Sequence, residues 1–168
     1  MCQHGSKHLW ERLGWICDVA GLLHARRDIN WGQLMEEAAR LGSERMLFLG
    51  LFLASNLLGA PLPKDVLHRA ETDPKVRALA GEVHEGLSRL TNGLSPRFAE
   101  ESPFYLFHLK MRERLRDKVR YCVRAATTTT VRDWASLPLP RSLFPAYYLV
   151  RPIRLVGKYG RRLLERFV

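Results

Sequence analysis

The sequence predicts an all-α protein: an irregular bundle of roughly seven to eight helices, with no sheet. Three observations carry that expectation. Apolar residues recur three and four apart along most of the chain, the spacing of one helix face. No stretch sustains the strict alternation of a half-buried strand. Helix start and stop signals punctuate the chain at helix-length intervals.

The first helix is expected from about His4 to Ala25, with Leu9, Leu13, Ile16, Val19, Ala20 and Leu23 as its core face. Polar Arg26, Arg27, Asp28 and Asn30 make a turn. Asn30 suits the cap of a helix from Trp31 to Leu41, and Gly42 suits its left-handed end. Ser43 opens a helix that carries the apolar run from Met46 to Leu58. The break 59–63, with two prolines, precedes a short helix from Lys64 to Ala70. Asp73-Pro74 starts a helix to about Leu90, stopped by Asn92-Gly93. Ser102-Pro103 repeats that start signal, and one long helix is expected to about Ala126. The β-branched run Thr127 to Thr130 ends it. After the extended spacer 137–140, two helical stretches, about Phe144 to Val150 and Pro152 to Phe167, close the chain.

At 168 residues, with 46% hydrophobic and 26% charged residues, the chain is expected to fold as a single helical domain, 1–168, and disorder is excluded. The charge is unusual. Lys and Arg number 27 against 17 Asp and Glu, giving +10 and a pI near 10.1. Such a surplus favours anionic partners: nucleotides, nucleic acid or acidic lipid. Cys2, Cys17 and Cys122 are too few and too far apart for a disulfide framework or a Cys-x-x-Cys metal site, and a reducing compartment fits them. No signal peptide is visible, and the run Met46 to Leu58 is too short to span a bilayer. A cytoplasmic protein is expected.

Opposite its core face the first helix carries His4, Lys7, His8, Glu11, Trp15 and Asp18. Asp18 lies in the otherwise apolar stretch 15–20, so it is expected to be partly buried and paired, with Arg12 or a cation from another helix. The mixture of rings, cations and one carboxylate also suits the wall of a cleft that handles phosphate and a ring. His4 and His8, four apart, have metal-ligand spacing, yet no third ligand or Glu-x-x-His accompanies them, and no metal is expected.

The segment His4-Gly-Ser-Lys-His-Leu-Trp-Glu-Arg-Leu-Gly-Trp-Ile-Cys-Asp-Val-Ala20 resembles part of the "uncharacterised nucleotidyltransferase" family, of the polymerase-β-type nucleotidyltransferase superfamily. A second block agrees in order and spacing: Asp133-Trp134, Leu137-Pro-Leu-Pro140, Tyr147 to Leu155 and Lys158-Tyr-Gly160. The resemblance implies a small upstream α/β domain with a Gly-Ser loop and an Asp-x-Asp pair. That pair holds Mg²⁺ on the NTP for in-line attack at the α-phosphorus. Gly5-Ser6 and Gly42-Ser43 are not followed by such a pair, and the chain holds no Asp-x-Asp. The chain is therefore expected to be the helical C-terminal half, truncated from its catalytic domain or working with a separate one. It would transfer NMP to an acceptor only with that partner. His4, Lys7, His8, Arg12, Trp15 and Asp18 are its candidate substrate-binding residues, with Lys7 and Arg12 offering charge to phosphates. Mg²⁺ and NTP are implied only through the missing domain.

Two basic segments remain. From Lys110 to Arg124 cations alternate with an apolar stripe of Phe104, Phe107, Met111, Leu115, Val119 and Cys122, beside Glu113 and Asp117. A solvated helix face, a nucleic-acid surface and an anionic membrane surface are all open to it. Near the C-terminus, Arg151, Arg154, Lys158, Arg161 and Arg162 mix with tyrosines and form a possible basic interface, either for the catalytic domain or for RNA or a membrane. The alternative function is a free-standing basic helical module that binds RNA or an anionic surface. An exposed former interface would also favour oligomers.

Overall fold

The computed structural model describes residues 1–93 and 101–128, together with positions 146, 148, 152 and 153; for 101–103 only the backbone is described. Among the described residues there are eight helices and no strand. They are α1 (Cys2–Lys7), α2 (Leu13–Ala25), α3 (Trp31–Leu41), α4 (Glu44–Leu58), α5 (Lys64–Thr72), α6 (Pro74–Thr91), α7 (Glu101–Met111) and α8 (Leu115–Thr127). The chain divides into two compact units, Met1–Leu115 and Arg116–Val168. Apart from those four positions, the two expected closing helices lie outside the described residues, as does the basic interface at Arg151, Arg154, Lys158, Arg161 and Arg162.

The local signals for α3 to α6 act as the sequence suggests. Asn30 Oδ1 accepts the Gln33 amide at 3.0 Å, and Asp73 Oδ1 accepts those of Lys75 at 2.7 Å and Val76 at 3.3 Å, which satisfies amides that lack helical partners. Gly42 and Gly59 end α3 and α4 in the left-handed conformation, where a Cβ would be strained. Ser43 departs from expectation: its hydroxyl donates to the Ala38 carbonyl at 3.4 Å and does not cap α4.

The core of the first unit is built around α4, which packs against α1, α2, α3, α5 and α6. Its Phe48, Leu49, Leu51, Leu53 and Ala54 are buried with Ile16, Val19 and Leu23 of α2 and with Val76, Leu79 and Val83 of α6. Val66 and Ala70 of α5 and Phe107 and Met111 of α7 complete the cluster.

Two expected helices are interrupted. The continuous helix from His4 to Ala25 is replaced by α1, a loop and α2. The reason is Trp10. Leu9 and Trp10 both take left-handed backbone angles, φ 60° and 54°, and both side chains are buried. The indole slides beneath α1, and the Trp10 amide donates to the Gly5 carbonyl at 2.9 Å. Only glycine leaves room there. A Cβ on Gly5 would stand 2.5 to 2.7 Å from the ring, and one on Gly50 of α4 would stand 3.0 Å from it. Each left-handed residue costs roughly 1–2 kcal/mol, and the indole N–H has no hydrogen-bond partner among the described residues. Burying a tryptophan removes about 150–250 Å² from water, worth roughly 4–6 kcal/mol. Burial therefore outweighs the backbone strain. The same turn leaves Leu13, expected in the core, 50% exposed.

The second interruption replaces one helix to Ala126 by α7 and α8, and its cause is polar. In the loop between them, the Glu113 carboxylate accepts the Arg45 amide in the first turn of α4. The Arg45 guanidinium, nine-tenths buried, donates to the carbonyls of Lys110 at 2.8 Å and Arg112 at 3.2 Å. Arg112 donates to the His108 carbonyl at 2.6 Å, and Arg114 to those of Ala39 and Arg40 at 2.6 and 3.0 Å. One loop thus satisfies the start of α4 and the ends of α3 and α7, with charges of the sign that each helix dipole favours. Beyond it the apolar stripe divides. Phe107 and Met111 are fully buried, whereas Leu115, Val119 and Cys122 are exposed.

Candidate substrate-facing site on α1 and α2

The interruption at Trp10 decides where the polar residues of the first segment go. Folding α1 back over the indole brings His4 and His8 to the side of α2 that carries Trp15. The three rings form a cluster: centroids are 4.8 Å apart for His4 and His8, 5.5 Å for His4 and Trp15, and 5.3 Å for His8 and Trp15. The Arg12 guanidinium lies 5.8 Å from the Trp15 ring centre, within cation–π range. His4, His8 and Arg12 are exposed and Trp15 is half-buried, so the cluster opens to solvent. Such a surface offers faces for stacking a flat ring and a fixed cation beside them.

The other two candidates stand apart. Lys7 is exposed at the end of α1, where its backbone bonds His108. Asp18, expected to be partly buried and paired, is exposed and has no ion pair among the described residues, with Arg12 or any other cation. The α2 backbone turns it away from the buried Ile16, Val19 and Leu23, so water replaces the partner that burial would demand.

Behind the cluster stands His108 of α7, which the sequence reading passed over. It is buried among the rings of Phe104 and Phe107. Burial pushes its imidazole down to about 4, helped by the nearby Arg112 charge and opposed by the bond to the Lys7 backbone. It therefore ties α7 to the end of α1 as a neutral ring. Cys2 is anchored similarly: burial pushes its thiol up to about 11, and its sulfur lies against Gly50. The signal for Trp10, Gly5 and Gly50 was present only as residue size, since nothing local shows that the three meet.

A separate cleft of about 510 Å³ is lined by Glu44, Arg45, Phe48, Arg69, Asp73 and Glu113. Its charges are engaged with one another: Arg69 with Glu44 at 3.3 Å and over the Phe48 ring at 5.1 Å, Arg45 with Asp73 at 3.9 Å. It acts as a bracket between α4, α5, α6 and the loop after α7. In the ring cluster, by contrast, Arg12 lies over the Trp15 ring and has no ion pair among the described residues.

The residues present do not fit the Mg²⁺ site that the resemblance implies. No Asp-x-Asp occurs in the sequence, and among the described residues no three His, Cys, Asp or Glu side chains converge to hold a metal. Nor is any described helix long and apolar enough to cross a membrane. No curated protein and no solved structure matches the chain. The second block of likeness, from Asp133 onward, falls outside the residues matched by the family model. That match covers residues 1–59, hence α1 to α4 and the whole ring cluster, and the family is described as uncharacterised nucleotidyltransferase.

Proposed function

We propose that this chain supplies the helical, substrate-facing part of a nucleotidyltransferase, and that the metal chemistry comes from a separate catalytic domain. The observation that supports this reading is the position of the ring cluster: all of it lies in the family-matched segment. A nucleobase would stack on Trp15 and the histidines, with Arg12 beside its phosphates. Exposed Asp18 is free to hold a substrate hydroxyl. The chain would bind and orient a nucleotide or its acceptor. The Mg²⁺ that activates the α-phosphate would sit on the partner's carboxylate pair, since the sequence holds no Asp-x-Asp and no metal-holding cluster occurs among the described residues.

Calorimetry of the full chain against ATP, GTP, CTP and UTP tests the binding role. At least one should bind, and Trp15→Ala should weaken it roughly tenfold or more, the worth of one base–aromatic stack. Arg12→Gln should weaken a triphosphate more than its nucleoside. Incubation with Mg²⁺ and α-labelled NTPs should give no transfer by the chain alone. Binding of every nucleotide unchanged by Trp15→Ala removes the site; Mg²⁺-dependent transfer by the isolated chain removes the need for a catalytic partner.

A further inference from the structure

We propose that the outward face of α8 binds an anionic phospholipid surface. The helix has the sequence pattern of an amphipathic segment, with Leu115, Val119, Cys122 and Ala126 three and four apart on one side. In a globular protein that side is expected to face the core. Here it is exposed. Leu115 is 76% exposed, Val119 53% and Val123 56%, Cys122 is exposed as well, and no residue of α8 is buried. The half-buried positions are Asp117, Lys118, Tyr121 and Ala125 on the more polar side, with Ala126 at the far end of the stripe.

What could cover this stripe is constrained by its borders. Arg116 and Arg120 are exposed on one flank, Lys118 lies on the other, and Asp117 is the one acid of the helix. The occupant must therefore take up aliphatic side chains and set negative charge around them. A lipid interface with acidic headgroups does both: the aliphatic residues enter the acyl boundary while the long basic side chains reach the phosphates. RNA supplies the charge but nothing for an aliphatic stripe, and the stripe has no aromatic ring for a base to stack on. A second copy of the chain would set like cations against one another along the same stripe. With 13 residues the helix is too short to span a bilayer, so it would lie in the interface.

The test uses the full chain and vesicles of phosphatidylcholine with or without phosphatidylglycerol. Sedimentation should show binding only when phosphatidylglycerol is present, weakening as salt rises. Val119→Asp with Val123→Asp should reduce binding roughly tenfold or more while leaving the helical circular dichroism unchanged, because both positions are exposed. A polarity-sensitive fluorophore on Cys122, in a Cys17→Ser background, should shift to the blue on phosphatidylglycerol vesicles. The buried Cys2 thiol competes little for the label. Three results would overturn the proposal: no binding to phosphatidylglycerol vesicles at low salt, binding that the double aspartate variant retains, or a Cys122 label that shifts with RNA or on self-association and not with lipid.

Discussion

The two interrupted helices dispose of their apolar residues in opposite ways. Between α1 and α2 the chain turns so that Leu9 and Trp10 go inward, at the expense of two left-handed residues. Between α7 and α8 it turns so that charged groups can meet helix ends, and the apolar stripe beyond the turn is exposed. One break is held by an indole in a slot cut by two glycines. The other is held by hydrogen bonds to backbone groups that helices leave unsatisfied. Helical periodicity identifies which residues share a face. It carries no information about what that face meets, or whether the helix continues through it.

The largest expected effect lies at the first break. Trp10→Ala should cost about 3–5 kcal/mol in urea unfolding, the range for truncating a buried large aromatic. Gly5→Ala should cost about 1–3 kcal/mol, since its Cβ would meet ring carbons at 2.5 to 2.7 Å and the ring is fully buried. If Trp10→Ala costs less than about 1 kcal/mol, the indole does not hold the elbow. The ring cluster of His4, His8 and Trp15 should then survive its removal.

His108 joins the two breaks, because it sits on α7 and bonds the end of α1. Its ordinary value is 6.5 and burial brings it to about 4, so the fold favours the neutral ring. Between those values the unfolded chain takes a proton that the folded chain resists. Stability from this group is complete above about pH 6.5 and is lost as pH falls toward 4. The loss should reach about 2–3 kcal/mol. Thermal melts across this range, set against His108→Gln, isolate it from the carboxylates, and the glutamine amide keeps a donor for Lys7. Parallel pH profiles for the two proteins would show that the ring is solvated in the fold.

Much of this fold is legible locally. Asn30, Gly42, Asp73-Pro74 and Asn92-Gly93 mark helix ends because each acts on its own turn, and the α4 run is apolar enough to belong in a core wherever the chain goes. The breaks are not legible, because their causes are distant in sequence. Gly50 shapes the slot for Trp10 from α4, and Glu113 and Arg45 meet across the fold. The candidate site residues are chosen by type, and the elbow brings His4, His8, Trp15 and Arg12 together. Asp18 is exposed despite its apolar sequence neighbours, because on a helix the residues on either side of a position point elsewhere.

At the second break the effect should be smaller. Glu113→Gln keeps an acceptor for the Arg45 amide but removes the charge at the α4 N-terminus, costing about 0.5–1 kcal/mol. Glu113→Ala removes both and should cost about 1–2 kcal/mol. An equal cost for the two variants, read by chemical denaturation, would mean that the charge and not the hydrogen bond holds the loop.

The smallest effect separates the two regions most cleanly, because one substitution serves both. Val19 on α2 is 2% exposed and Val119 on α8 is 53% exposed. Valine to threonine preserves shape and exchanges a methyl for a hydroxyl. At Val19 the hydroxyl enters the cluster with Ile16 and Leu49, and burying it should cost about 1–3 kcal/mol. At Val119 the hydroxyl meets water in the free chain, so stability should change by less than about 0.5 kcal/mol. Equilibrium unfolding of both variants measures the difference directly. A cost at Val119 approaching that at Val19 would mean that the stripe is covered in solution, and the outward face of α8 would then be a packed one.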